Sequence, residues 1–231
     1  MKRFYKEAFA TAAADGNYTV LLDGKAVKTP KRMMLSLPNL PLADAIAEEW
    51  RAQGEAIDPQ TMPLTRLAFA ALDVVTPERE QIAQQLLNYG QNDLLCYRAE
   101  DPPDLVARQA RTWDSLLDWV TETYGARLRV GFGIRHVAQP AEAIAELEQA
   151  ISRYDEFELA ALHTATTITG SLILALALAE EEISAHEAFA AATIDETFQA
   201  EKWGIDTEAE NRRQRLLSEL TAAERFLRLL A

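Results

Sequence analysis

Tyr18-Thr19-Val20-Leu21-Leu22-Asp23-Gly24-Lys25-Ala26-Val27-Lys28-Thr29 decides the fold class. Apolar and β-branched residues flank an Asp-Gly pair that tolerates the positive φ of the primed two-residue turns, so the stretch reads as a β-hairpin. Upstream, Phe4 to Phe9 is a candidate strand. Downstream, Met33-Met34-Leu35-Ser36-Leu37, closed by Pro38, is another. The first 40 residues therefore read as a small antiparallel sheet or a partly closed barrel.

The pattern changes period at Pro41. Leu42, Ile46, Glu49 and Trp50 recur at helical spacing up to a stop near Gly54. The two prolines of Ile57-Asp58-Pro59-Gln60-Thr61-Met62-Pro63 exclude regular structure and make it a crossing loop. Helices are predicted over 64–75 and over 77–89, the second opened by Thr76 with Pro77 at its first position. Asp101-Pro102-Pro103-Asp104 is a further break, followed by a helix over 105–124 that ends at Gly125 and a short strand over 127–130. The remainder reads as helices over 140–153, 156–179, 185–202 and 208–230. Ser184 with Glu187, and Thr207 with Glu210, have capping-box spacing, in which a hydroxyl caps the third amide and a carboxylate returns the bond. The fold class is α+β: a small N-terminal antiparallel β unit over 1–40, then a larger, mostly α-helical domain over 41–231 with Pro-rich breaks near 58–63 and 101–104.

Composition narrows the function. The 231 residues carry 48% hydrophobic and 26% charged residues, values of an ordinary globular chain that exclude a disordered one. The formal net charge of -13 argues against nucleic acid or an anionic membrane surface as partner and favours a basic protein surface. Charge is also uneven. Residues 1–35 hold seven Lys/Arg against three Asp/Glu, whereas 137–210 hold sixteen Asp/Glu against two Lys/Arg. Solvated helix faces account for such a run, and so does a surface that steers a basic partner. The most apolar stretch, 168–179, is shorter than the roughly 20 residues of a membrane span and reads as a core helix.

Catalytic signatures are few. The chain contains no G-x-S-x-G, G-x-x-x-x-G-K-[ST], G-x-G-x-x-G or H-E-x-x-H motif. His136, His163 and His186 lie too far apart in sequence for a local metal site. Cys96, the one cysteine, sits in an apolar neighbourhood that suits an inert buried thiol and excludes an intrachain disulfide. Carboxylates abound, but nothing singles out a catalytic pair. The expectation is a non-enzyme without cofactor or metal.

One constellation suits partner binding. In Asp195-Glu196-Thr197-Phe198-Gln199-Ala200-Glu201-Lys202-Trp203-Gly204, positions 196, 199 and 203 share one helix face and place a carboxylate, an amide and an indole in a stripe. A Trp with polar neighbours is a common composition for a binding hot spot. The same pattern also fits a core Trp203 beside a locally paired Glu196.

These residues, with others along the whole chain, resemble the family of F-type ATP synthase assembly chaperones that act on the alpha subunit of the catalytic head, in mitochondria and alphaproteobacteria. The resemblance is carried by Arg3-Phe4-Tyr5-Lys6, Val20-Leu21-Leu22-Asp23-Gly24-Lys25, Lys28-Thr29-Pro30, Ala47-Glu48-Glu49-Trp50 with Gln53, and Ile57-Asp58-Pro59 with Met62-Pro63-Leu64-Thr65. It continues through Asp93-Leu94-Leu95-Cys96-Tyr97-Arg98, Gly170-Ser171, and Asp195-Glu196, Gln199, Trp203-Gly204 with Glu208-Ala209. It implies a two-domain, ATP-independent chaperone that covers the unassembled alpha subunit until the beta subunit replaces it. It implies Glu196 as the functional acidic residue, with Glu201 as alternative, and a binding surface that includes Asp195, Gln199 and Trp203. Asp195 stands where relatives often carry Glu. Eukaryotic relatives carry a targeting extension that this chain lacks, so a bacterial cytoplasmic protein or a processed mitochondrial matrix form is expected, as a monomer without membrane insertion. Two other readings remain open: an enzyme using a carboxylate pair in an interdomain cleft, and a general adaptor for a basic protein.

Overall fold

The computed structural model describes residues 1–231 except Asp15, Ile134 and Ile205. The fold is α+β. Strands β1 (Ala8–Ala12), β2 (Tyr18–Leu22) and β3 (Lys25–Ala26) form an antiparallel sheet in that order, with Ala8 opposite Leu22 and Leu21 opposite Ala26. The hairpin turn is the predicted one: Asp23 and Gly24 adopt φ of 47° and 80°. Its aspartate does a second job. The Asp23 carboxylate accepts the amides of Lys6 and Glu7 at 2.9–3.1 Å. The amides of Lys6 and Glu7 are therefore taken by a side chain, and the strand expected from Phe4 begins only at Ala8. Met33–Leu37 likewise makes isolated bridges, Met34 with Lys28 and Leu37 with Tyr18, instead of a full strand.

Helix α1 (Leu40–Arg51) packs on β1 and β2. Asn39 caps it by accepting the Leu42 amide at 2.9 Å, and its Nδ2 donates to the Leu229 carbonyl at 2.8 Å. The face carrying Leu42, Ile46 and Trp50 is buried, as the helical spacing predicts. At its end, the Glu49 carboxylate accepts the Leu64 and Thr65 amides and the Thr65 hydroxyl at 2.7–2.8 Å, capping α2 (Pro63–Ala70). Gln53 ties down the crossing loop, donating to Thr61 and accepting the Asp58 amide. The helix predicted over 64–75 loosens to wider π turns at Ala71–Val75. There the buried Asp73 accepts the Thr29 hydroxyl at 2.6 Å and the Lys31 amide at 2.9 Å. By contact, residues 1–79, 155–161 and 225–231 form one compact unit, so 41–79 group with the strands.

Residues 80–154 and 162–224 form the second unit. It holds α3 (Arg79–Gln91, from residue 80), α4 (Pro103–Tyr124), α5 (Ala141–Ser152), the remainder of α6 (Glu156–Thr169) and α7 (Leu172–Ala179). It also holds α8 (Ala185–Ala192), α9 (Ile194–Trp203) and most of α10 (Thr207–Leu230). A two-residue parallel pair, β4 (Tyr97–Arg98) and β5 (Gly131–Phe132), replaces the strand expected over 127–130. In that stretch Arg129 instead exchanges backbone bonds with the Gln139 side chain. α4 ends at Gly125 as expected, with φ of 78°.

Two long predicted helices are each broken. The 156–179 helix divides at Gly170, φ 69°, and Ser171, which accepts the Leu174 amide and starts α7. The 185–202 helix divides at Thr193, whose hydroxyl and amide both bond back to the Phe189 carbonyl. α7 is buried on nearly every side against α4 and α8, the core role expected of this apolar run. The Ser184–Glu187 capping box forms. The one expected at Thr207 does not. Asp206 accepts the Glu208 and Ala209 amides at 3.3 Å, and Glu210 turns down the helix to Gln214.

Candidate functional site

Helix α9 is fixed to α4 by its inner face. Phe198 is buried, with the Arg108 guanidinium 5.3 Å and the Lys202 ammonium 4.2 Å from its ring centroid. Two of the five residues singled out in the sequence belong to this attachment. Asp195 accepts the Gln109 amide at 2.7 Å, while Gln109, itself buried, accepts the Ala99 amide at 2.8 Å. Glu201 forms a two-pronged pair with Arg108 at 2.8 and 2.7 Å. That guanidinium holds the Glu201 carboxyl below the usual carboxylate range.

The other three point outward. Glu196 and Gln199 are exposed, and Trp203 is 79% exposed, so the alternative of a core tryptophan is removed. None of the three makes a hydrogen bond or ion pair with the described residues. Trp203 ends its helix at Gly204, φ 92°, on the last turn of α9. An indole presented this way is free to be covered by a partner. Covering an exposed aromatic with a partner contributes about 2–4 kcal/mol. The arrangement provides an apolar anchor with a carboxylate one to two turns away.

Arg108 and Gln109 were not legible as members of this site. They lie 93 and 86 residues from their partners, and no local pattern joins them.

Other candidate chemistry resolves into structure. Cys96 is buried, and burial, helped by the neighbouring Asp93, pushes its thiol up to about 12. Asp93 is fully buried and accepts the Ser171 hydroxyl at 2.7 Å together with the Leu95 and Ile173 amides at 3.1 Å. Burial, the dominant cause, raises its carboxyl to about 6 against these bonds. His163 is half-buried beside Gln85, and desolvation lowers its pKa. Among the described residues no group of three or more His, Cys, Asp or Glu is placed to hold a metal, and no helix is long and apolar enough to cross a membrane.

The chain is similar to known proteins along its length. Residues 2–121 match the model of the ATP12 chaperone protein family. The mitochondrial atp12 protein of Schizosaccharomyces pombe is 25% identical over 215 residues, covering 88% of this chain and 74% of that one. The crystal structure of Atp12 from Paracoccus denitrificans is similar at 42% identity with a TM-score of 0.94, covering 100% of this chain and 98% of that one. The crystal structure of the Atu1473 protein from Agrobacterium tumefaciens is similar at 44% identity with a TM-score of 0.96, covering 100% and 86%. This chain belongs to the ATP12 chaperone protein family.

Proposed function

We propose that this protein is an assembly chaperone of F-type ATP synthase that binds the unassembled alpha subunit and shields its subunit interface until the beta subunit replaces it. Membership of the ATP12 family supports the assembly role. The observation that carries the binding reading is the exposed Glu196–Gln199–Trp203 face of α9, which has no occupant among the described residues. An orphan subunit of an obligate oligomer exposes a large apolar interface and aggregates. A holder that binds this interface more weakly than the true partner is displaced by competition, without nucleotide. The acidic excess of residues 137–210 favours a basic rim on the bound surface and speeds encounter. The protein would act where the alpha subunit is made or delivered, the bacterial cytoplasm or the mitochondrial matrix.

The enzyme reading gains no matching observation. The carboxylates of Glu49, Asp73 and Asp93 are engaged as caps by amides and hydroxyls. The deciding experiment is light scattering of alpha subunit diluted from denaturant, with and without the protein, at two salt concentrations. Suppression near one-to-one stoichiometry is expected, weaker at high salt. Equal scattering with and without the folded protein contradicts the proposal.

A further inference from the structure

A cavity of about 540 Å³ opens between α4, α8, α9 and the first turns of α10, and its charge is opposite to that of the chain. Arg108 and Arg111 of α4, His186 of α8 and Arg213 of α10 line it, against a single lining carboxylate, Glu187. Its floor is apolar, made by Phe189 and Ile194 with neighbouring alanines.

The guanidinium groups are unequally satisfied. Arg108 is neutralised by Glu201. Arg213 donates from Nη2 to the hydroxyls of Thr193 and Thr197 at 3.3 and 3.1 Å and lies over the Phe189 ring, contacts that orient it without cancelling its charge. Its Nε also forms an ion pair with Glu210 at 3.8 Å. Arg111 is exposed and makes no ion pair or hydrogen bond with the described residues. Glu187 is occupied by the Ser184 amide and hydroxyl at 2.8 and 2.7 Å. The mouth of the cavity therefore presents Arg111 without an ion-pair partner among the described residues, beside two arginines already paired, in a chain of net charge -13.

We propose that this cavity receives an acidic side chain of the polypeptide held by α9, an inference that rests on the chaperone reading. Two features favour a carboxylate on an apolar stem. The planar guanidinium groups match a carboxylate two-pronged, as Arg108 already shows with Glu201. The apolar floor matches the methylene groups of the incoming chain. Ile194 and Thr197 line the cavity from the same helix that presents Glu196, Gln199 and Trp203, so one segment of partner can engage both. The pairing also sets polarity. α9 offers a carboxylate outward, and the cavity beside it accepts one, which discriminates against a partner of uniform charge.

The test is a titration followed through the arginine Nε–Hε NMR signals, with three probes: acetyl-Leu-Glu-Leu-amide, its Gln counterpart, and inorganic phosphate. The Glu peptide is expected to shift the Arg111 and Arg213 signals and to bind about tenfold more tightly than the Gln peptide. Arg111→Gln is expected to remove most of that preference with an unchanged urea midpoint. Equal binding of the two peptides overturns the proposal, and so does a cavity that phosphate fills but the Glu peptide does not enter. None of the probes contains the alpha subunit. Failure here with aggregation suppression intact removes the cavity alone, whereas loss of suppression removes the chaperone reading.

Discussion

The carboxylate of Asp93 accepts the Ser171 hydroxyl at 2.7 Å across 78 residues of sequence, and its second oxygen accepts the Ile173 amide. One buried acid thus caps the core helix α7 from a separate segment of the chain. This brings Asp93-Leu-Leu-Cys-Tyr-Arg and Gly170-Ser171 together. Each is half of one joint.

The joint has a pH signature. The Asp93 carboxyl rises from 3.8 to about 6 on folding, mainly through burial. Between those values the native state binds the proton more than the unfolded state does, so stability falls as pH rises through the window. The full effect is about 3 kcal/mol. Asp93→Asn removes the titration. The stability of the wild type relative to this variant, from urea unfolding, is expected to decline by about that amount between pH 4 and pH 7. Parallel pH profiles would contradict it.

Cys96 is expected to be silent in the native protein. With its thiol pushed up to about 12, the thiolate fraction at pH 8 is about 10⁻⁴. Labelling with a thiol-reactive disulfide reagent at pH 8 should track unfolding by urea, and rapid labelling before the unfolding transition would show an accessible thiol.

Glu49 should matter more than a half-exposed glutamate ordinarily does. Removing it in Glu49→Ala leaves the Leu64 and Thr65 amides and the Thr65 hydroxyl without their acceptor. A loss of about 1–3 kcal/mol is expected from the urea midpoint. A change below about 0.5 kcal/mol, the size of an ordinary surface substitution, would mean that water replaces the cap.

Trp203→Ala separates anchoring from folding. A buried tryptophan truncated to alanine costs about 3–5 kcal/mol, but this ring is 79% exposed. The expected change in stability is within about 0.5 kcal/mol, while affinity for the alpha subunit falls by about 2 kcal/mol or more. A large drop in the thermal midpoint would place the ring in the core after all.

What the sequence disclosed follows the range of each interaction. Asp23-Gly24, Gly125 and the Ser184–Glu187 box act within a few residues, and each was legible. The breaks at Gly170-Ser171 and Thr193 were not. The apolar and helical periodicity runs on through them, and α7 gains its own start from Asp93, far away in sequence. The α9 stripe was legible as a shared face, because helical spacing puts 196, 199 and 203 together. Which way that face points was not. That depends on Phe198, Asp195 and Glu201 engaging Gln109 and Arg108 of α4. Thr207 shows the opposite error: its capping spacing was present, but Asp206 took the role.

The central claim is that the outer face of α9 holds the alpha subunit, and Glu196→Lys tests it most directly. Glu196 is exposed and makes no contact that the fold needs, so reversing its charge should leave the urea midpoint in place. Affinity for unassembled alpha subunit, titrated at low salt, is predicted to fall about tenfold or more. Unchanged affinity, or loss of binding only in step with loss of stability, would contradict the account.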